Sequence, residues 1–121
     1  MTRTILVVDA DPAALDETVN SLRGTASEVA TARTFDDARR ALDIHRPWLL
    51  ITAVRLGRFN GLHLVARARG LQRDVAAIVV GDESDLPLRV DAAELGASFA
   101  VRPLGESLLA LVDRALDGPS L

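Results

Sequence analysis

Two short segments decide what chemistry this chain could perform. Asp9-Ala10-Asp11 follows the apolar run 4–8, and Ala53 follows another apolar run at 48–52. Carboxylates that end a buried strand can hold Mg²⁺ or attack phosphorus, because both roles need oxygen atoms. A methyl group can do neither. The first segment therefore keeps acidic groups, whereas the second offers none.

The composition removes other classes of mechanism. The 121 residues include no cysteine, which excludes disulfides, thiolate nucleophiles and cysteine-ligated metals. All 14 basic residues are arginine, which excludes Schiff-base and P-loop lysines. His45 and His63 lack metal-ligand neighbours at helical spacing, so we expect both in solvated positions. We therefore expect no cofactor and no metal, with Asp9 at most a weak ligand.

Length and charge limit the organisation and the partners. A chain of 121 residues fits one domain, which we place at residues 1–118 with a tail at 119–121. The net charge of −3 argues against nucleic acid as a partner. No apolar stretch approaches the roughly 18 residues of a membrane span, and no leader segment is evident. We expect a cytoplasmic protein without a membrane partner.

Strand and helix patterns alternate along the chain. Nearly continuous apolar runs predict strands buried on both faces, at 4–8, 28–32, 48–52, 76–80 and 98–101. Helical spacings lie between them, with Asp11, Thr34 and Asn60 as predicted N-caps. A fourth helix is predicted over 85–95, with Pro87 in its first turn. This alternation predicts a doubly wound α/β sandwich of three layers, with five helices and a five-stranded parallel sheet in the order 2-1-3-4-5.

Three motifs in this order resemble the receiver domain of bacterial response regulators. They are Ile5-Leu6-Val7-Val8-Asp9 with Asp11-Pro12, then Val54-Arg55-Leu56 leading to Asn60-Gly61-Leu62, and finally Gly96-Ala97 with Phe99-Ala100-Val101-Arg102-Pro103. The resemblance covers essentially the whole chain. In an ordinary member, it implies Mg²⁺-dependent transfer of a phosphoryl group from a histidine kinase to an aspartate after the third strand.

The resemblance also implies a degenerate phosphorylation pocket. Of its five positions, only Asp9 matches the family pattern. The other four are Ala10 for a second acid, Ala53 for the phosphoacceptor, Gly81 for the switch hydroxyl and Arg102 for a lysine. Phe99 takes the aromatic switch position, and without a hydroxyl at Gly81 we expect it to stay in one rotamer.

The acids after the first strand allow two interpretations. Asp9 would pair with Arg102 in a bidentate ion pair if the two strand ends are adjacent, and Asp11 would cap the first helix. Alternatively, Asp9 and Asp11 form the Asp-x-Asp motif of a haloacid dehalogenase phosphatase. That interpretation needs a downstream lysine and a larger core, and the chain has neither.

Other polar groups are expected to be solvated or turned away from the pocket. The Thr52 hydroxyl should point away from it, since successive strand residues face opposite sides. The acids Asp82, Glu83 and Asp85 should form a solvated loop. Several arginines either form an anion-binding patch or are simply solvated, and these are Arg55, Arg58, Arg67, Arg69 and Arg73.

The last helix gives the positive indication of function. Its apolar arc is wider than a surface helix needs, and Leu104, Leu109 and Leu116 are candidates for an interaction face. In receivers, the fourth helix, fifth strand and fifth helix form the docking and dimerisation face. We therefore expect a phosphorylation-independent, non-enzymatic receiver that binds a protein, namely a histidine kinase, an output protein or a second copy. The alternatives are the phosphatase and a receiver cut from a larger kinase or transcription factor.

Overall fold

Five parallel strands form one sheet in the computed structural model, which describes residues 3–25 and 27–116. The strands are β1 (Thr4–Val8), β2 (Glu28–Ala32), β3 (Leu49–Ala53), β4 (Ala76–Gly81) and β5 (Ser98–Val101). Their order across the sheet is β2-β1-β3-β4-β5, and all neighbours are parallel. The predicted fold class and strand order are confirmed.

Five helices connect these strands. They are α1 (Pro12–Ser21), α2 (Phe35–His45), α3 (Gly61–Leu71), α4 (Arg89–Glu94) and α5 (Gly105–Leu116). The three predicted N-caps are confirmed, because the side chains of Asp11, Thr34 and Asn60 each accept a hydrogen bond from a first-turn amide. These bonds satisfy amides that have no partner within the helix.

The fourth helix differs from its prediction. In place of one helix over 85–95, a 3₁₀ helix spans Glu83–Leu88 and α4 is a separate short helix. Pro87 lies inside the 3₁₀ segment. Proline has no N–H to donate and its ring clashes with an α-helical carbonyl four residues earlier, so the tighter turn is favoured here. A short hairpin, Arg55–Leu56 with Phe59–Asn60, was also not predicted.

Two buried clusters cover the two faces of the sheet, as a doubly wound fold requires. Leu6 and Val8 of β1 belong to the cluster that includes α2, α3 and α4. Ile5 and Val7 belong to the cluster that includes α1 and α5. All four are at most 1% exposed, so β1 is buried on both sides. This explains why its sequence reads as a continuous apolar run.

The ends of the chain bear on two of the predictions. The predicted domain end at residue 118 and the predicted tail at 119–121 lie outside the described residues. Among the helices that the structure does describe, none is long and apolar enough to cross a membrane.

Candidate functional site

A pocket of about 380 Å³ opens at the carboxyl ends of the strands. We call it the crevice, and its lining includes Asp9, Asp11, Ala53, Arg55, Asp85 and Arg102. Asp9 directly follows β1, Ala53 ends β3 and Arg102 directly follows β5. In open α/β sheets, this edge is where ligands bind. The fold therefore brings the predicted pocket residues of three different strands together.

Asp9 and Arg102 form an ion pair across the crevice. Arg102 Nη2 donates to Asp9 Oδ2, and Asp9 is only 6% exposed. The predicted pair is therefore confirmed. The predicted bidentate geometry is wrong, because the Asp11 N–H donates to the other carboxylate oxygen at 3.0 Å.

The prediction of this ion pair also assumed that the two strand ends are adjacent, and this assumption is wrong. Strands β3 and β4 lie between β1 and β5, so the two strand ends are not adjacent. The side chain of Arg102 instead reaches across the crevice, which Ala53 also lines. Both oxygens of Asp9 thus have donors from the protein itself.

Asp85 lies in an environment that differs strongly from the predicted one. It is 2% exposed, whereas a solvated loop position was expected. Its Oδ1 accepts a hydrogen bond from Arg55 Nε at 2.9 Å and lies 2.7 Å from Arg55 Nη2. Its Oδ2 accepts the Asp82 N–H at 2.9 Å. Asp85 therefore connects the segment after β3 with the segment after β4, while Asp82 and Glu83 are exposed as predicted.

These contacts favour the charged form of Asp85. The hydrogen bond from the Asp82 backbone is the largest cause that lowers the pKa of Asp85, and the Arg55 guanidinium lowers it further. Burial acts in the opposite direction but does not prevail. The crevice consequently contains a buried carboxylate that stays ionised at neutral pH.

Gly81 makes room for this arrangement. A Cβ at this position would lie 2.9 Å from Asp85 Oδ2 and 2.9 Å from Phe99 Cζ. Both separations are shorter than ordinary van der Waals contact, so a side chain here would displace both neighbours or shift the backbone. Phe99 is half-buried and packs against the cluster beneath α2, α3 and α4. The glycine at the switch position therefore has a packing role that its sequence context alone did not reveal.

The remaining candidates lie beside the crevice or away from it. Asp11 lines it, but its Oδ1 accepts the Ala13 N–H at 3.1 Å as the N-cap of α1. Ala10 is exposed. Thr52 is fully buried and its hydroxyl donates to the Ala53 carbonyl. Thr52 is absent from the crevice lining, in agreement with its predicted orientation.

Neither histidine belongs to a candidate metal site. His45 and His63 are exposed, as expected. Residues 3–25 and 27–116 contain no group of three or more histidine or acidic side chains that could hold a metal ion.

The predicted interaction face is only partly exposed. Leu109 and Leu116 of α5 are 39% and 46% exposed, and Val90 of α4 is 65% exposed. Leu104 is 3% exposed and belongs to the core beneath α1 and α5, so its assignment to an interaction face is wrong. Leu104 lies between β5 and α5, and the backbone of this segment directs the leucine side chain into the core. A helical pattern that begins at Leu104 could not predict this direction.

Comparison with known proteins identifies the family. The family described as "Response regulator receiver domain" matches residues 5–108. This chain belongs to that family. The matched range contains every crevice residue described above, so the receiver fold and the candidate site coincide.

Two individual relatives also match this receiver over most of its length. "Transcriptional regulatory protein PrrA" of Mycobacterium tuberculosis is 31% identical over 100 residues, which are 82% of this chain and 43% of PrrA. "Transcriptional regulatory protein FixJ" of Bradyrhizobium diazoefficiens is 31% identical over 118 residues, which are 93% of this chain and 56% of FixJ. This receiver therefore spans about half the length of these curated relatives.

A solved structure agrees in fold. The CheY-like receiver domain protein from Methanospirillum hungatei JF-1 superposes with a TM-score of 0.87 at 26% identity. The alignment covers 97% of this chain and 95% of that one. The match supports the sheet order and the helix layers described above for this receiver.

Proposed function

We propose that this receiver works without phosphorylation, as a protein-docking or dimerisation module of two-component signalling, and that it is not an enzyme. The observation that carries the proposal is that the two buried acids of the crevice are already paired with the protein's own arginines. Asp9 is paired with Arg102, and Asp85 is paired with Arg55. The residue that the resemblance places at the phosphoacceptor position is Ala53, which has no nucleophilic oxygen.

The same pairs oppose Mg²⁺ binding. Mg²⁺ gives up its water shell reluctantly and is usually held by one or two carboxylates together with substrate phosphates. Arg102 already neutralises the charge of Asp9, and the neighbouring Ala10 contributes no second carboxylate. A cation entering the crevice would have to displace a guanidinium from a largely buried acid.

The geometry also counts against the phosphatase alternative. A nucleophilic aspartate needs an oxygen that is free to attack the substrate. Both oxygens of Asp9 accept hydrogen bonds, and Asp11 caps α1. If Asp9 were nevertheless a nucleophile, the chain would hydrolyse p-nitrophenyl phosphate and Asp9→Ala would abolish the activity. We expect no hydrolysis above the buffer rate.

The docking part of the proposal is supported by the exposed apolar residues of α4 and α5. Val90, Leu109 and Leu116 each leave at least 39% of their surface open. They belong to the two helices that follow β4 and β5. We propose an output protein, a histidine kinase or a second copy of this chain as the partner of this face.

The first experiment is an amide NMR titration with Mg²⁺ followed by beryllofluoride, which stands in for an aspartyl phosphoryl group. An ordinary receiver with a complete acid set serves as the positive control. We expect the amides of Asp9, Ala53, Gly81 and Arg102 to remain unmoved at millimolar ligand. Saturable shifts at these four positions would refute phosphorylation independence.

A second experiment tests docking through α5. Sedimentation of the protein at increasing concentration shows whether it self-associates. If it does, we expect Leu109→Ser to weaken the association and Ile44→Ser to leave it unchanged. Ile44 is a suitable matched control because it is an apolar residue of α2 with 74% exposure. Equal weakening by both variants would contradict docking through α5.

A further inference from the structure

A second pocket lies at the opposite end of the sheet from the crevice. Its volume is about 520 Å³, and it is lined by the first residues of β4 and β5, the end of α3 and the second half of α5. Cavities that bind small molecules usually measure roughly 300–1,000 Å³. Its size therefore suits a small organic ligand, and it shares no lining residue with the crevice.

The pocket is positively charged although the chain is acidic. Its lining includes Arg69, Arg73 and Arg114 and a single acid, Asp74, which gives +3 − 1 = +2. The whole chain has a net charge of −3. Within residues 3–25 and 27–116, the ion pairs involve other arginines, namely Arg39, Arg40, Arg55, Arg67 and Arg102.

The arginines that the sequence offered as one anion-binding patch lie in different places in the structure. Arg55 pairs with the buried Asp85, and Arg67 lies 4.0 Å from Asp43. Arg69 and Arg73 instead line the second pocket. The anion-binding interpretation therefore applies to Arg69 and Arg73. Arg114, which is far from them in sequence, lines the same pocket from α5.

Arg69 is held in place before any ligand binds. Its Nη2 donates to the Gly96 carbonyl at 2.8 Å. Gly96 has a φ of +77°, and a Cβ there would lie 2.7 Å from the same nitrogen. Glycine at this position therefore lets the guanidinium pack against the backbone. A positioned guanidinium loses less side-chain entropy on binding, and its planar donors match carboxylate and phosphate oxygens.

The rest of the lining is largely apolar. Leu111 and Ala115 of α5 are half-buried beside Val75 and Ile78, and Ser98 adds a hydroxyl-bearing residue. An apolar wall beside a few fixed charges is typical of a site for an amphipathic small molecule. We propose that this pocket binds a small organic anion. Its carboxylate or phosphate contacts the arginines, and its short apolar chain packs against Leu111 and Ala115 of α5.

Calorimetric and NMR titrations with four probes test the proposal. The probes are inorganic phosphate, hexyl phosphate, acetate and hexanoate. We expect saturable shifts at the amides of Gly96, Ser98 and Leu111. Each buried methylene should strengthen binding by about fourfold, so the six-carbon probes should bind more tightly than phosphate or acetate. The phosphate and carboxylate pairs distinguish the two head groups.

Matched variants separate a specific site from general charge attraction. Arg73→Gln and Arg114→Gln should each weaken hexyl phosphate binding by roughly two- to fivefold, because each removes an ion pair made by an exposed side chain. Arg58→Gln removes the same charge from the exposed hairpin and should have no effect. Both Arg73 and Arg114 are exposed, and circular dichroism checks that the variants fold.

Three outcomes would overturn the proposal. The first is the absence of saturable shifts, and the second is equal weakening by Arg58→Gln and Arg73→Gln. The third is that hexaglutamate binds more tightly than both six-carbon probes, which would make the pocket a site for acidic peptides instead. None of these outcomes depends on whether the crevice is phosphorylated.

Discussion

Replacing Asp85 by asparagine is the sharpest test of how the crevice is held together. The variant keeps the size of the side chain and removes its charge. Asp85 accepts hydrogen bonds from the Asp82 N–H and from Arg55 Nε, and Arg55 Nη2 forms an ion-pair contact with it. An amide side chain offers one acceptor oxygen and one donor nitrogen, so it must point its nitrogen at one of these donors.

The size of the effect follows from burial. A hydrogen bond to a charged group contributes about 1.5–3 kcal/mol to stability, and this applies to the contact between Asp82 and the buried carboxylate. The side chain of Arg55 is 71% exposed, so its share is closer to the roughly 0.2–1 kcal/mol of a surface ion pair. We therefore expect Asp85→Asn to cost about 2–3 kcal/mol. Arg55→Gln should cost less than about 1 kcal/mol.

Urea unfolding at neutral pH measures both variants. Trp48, the single tryptophan of the chain, provides the fluorescence signal, and circular dichroism provides an independent one. With a slope of about 1–3 kcal/mol per molar urea, the midpoint of Asp85→Asn should fall by roughly 1–2 M. The Arg55→Gln midpoint should move much less. Equal costs for the two variants would contradict the leading role of the Asp82 amide.

The pH dependence gives the second part of this test. The pKa of Asp85 is lowered below its ordinary value of 3.8 in the folded state. Its stabilising effect is therefore complete above 3.8 and is lost as the pH falls through the lower folded pKa. The stability difference between wild type and Asp85→Asn should shrink on acidification. A stability difference that grows below pH 3.8 would refute this reasoning. A difference within about 0.5 kcal/mol at neutral pH would refute it as well.

Two further variants probe the rest of the crevice by the same unfolding assay. Arg102→Met leaves Asp9 with one unpaired oxygen, so we expect a loss of about 1–3 kcal/mol. Adding Asp9→Asn should recover part of it, and full additivity would argue against the pair. Gly81→Ala forces a Cβ against Asp85 and Phe99 and should cost about 1–3 kcal/mol. The cost should be smaller in an Asp85→Ala background, and an unchanged cost would mean that Phe99 alone resists the methyl group.

The fold could be predicted from the sequence because its strands are buried on both faces. The runs at 4–8, 28–32 and 98–101 match the observed strands at both ends. The fourth helix could not be predicted as well. Pro87 favours its 3₁₀ turn locally, but the turn is also held by the hydrogen bond between Arg55 and Asp85, residues that lie 30 positions apart. No local pattern reports on such a distant partner.

The candidate site was predictable where the resemblance supplied the topology. The pairing of Asp9 with Arg102 was predicted from placing both residues at strand ends, although the adjacency of those ends that the prediction assumed is wrong. Asp85 was missed because it is one of three acids in a short loop, and composition does not tell which of them turns inwards. The spacing of Asp82 and Asp85 does carry a signal, since the second of two acids three residues apart can accept the backbone N–H of the first, as Asp85 does from Asp82. Gly81 beside them was a second signal of close packing.

The ion pair between Asp9 and Arg102 has a consequence for the order of folding. These residues are 93 positions apart, compared with 30 for Arg55 and Asp85. Closing the longer loop costs about 1 kcal/mol more chain entropy. The longer-range contact is therefore expected to form after the transition state. Removing it should accelerate unfolding and leave the folding rate nearly unchanged, so the pair would mainly extend the lifetime of the native state.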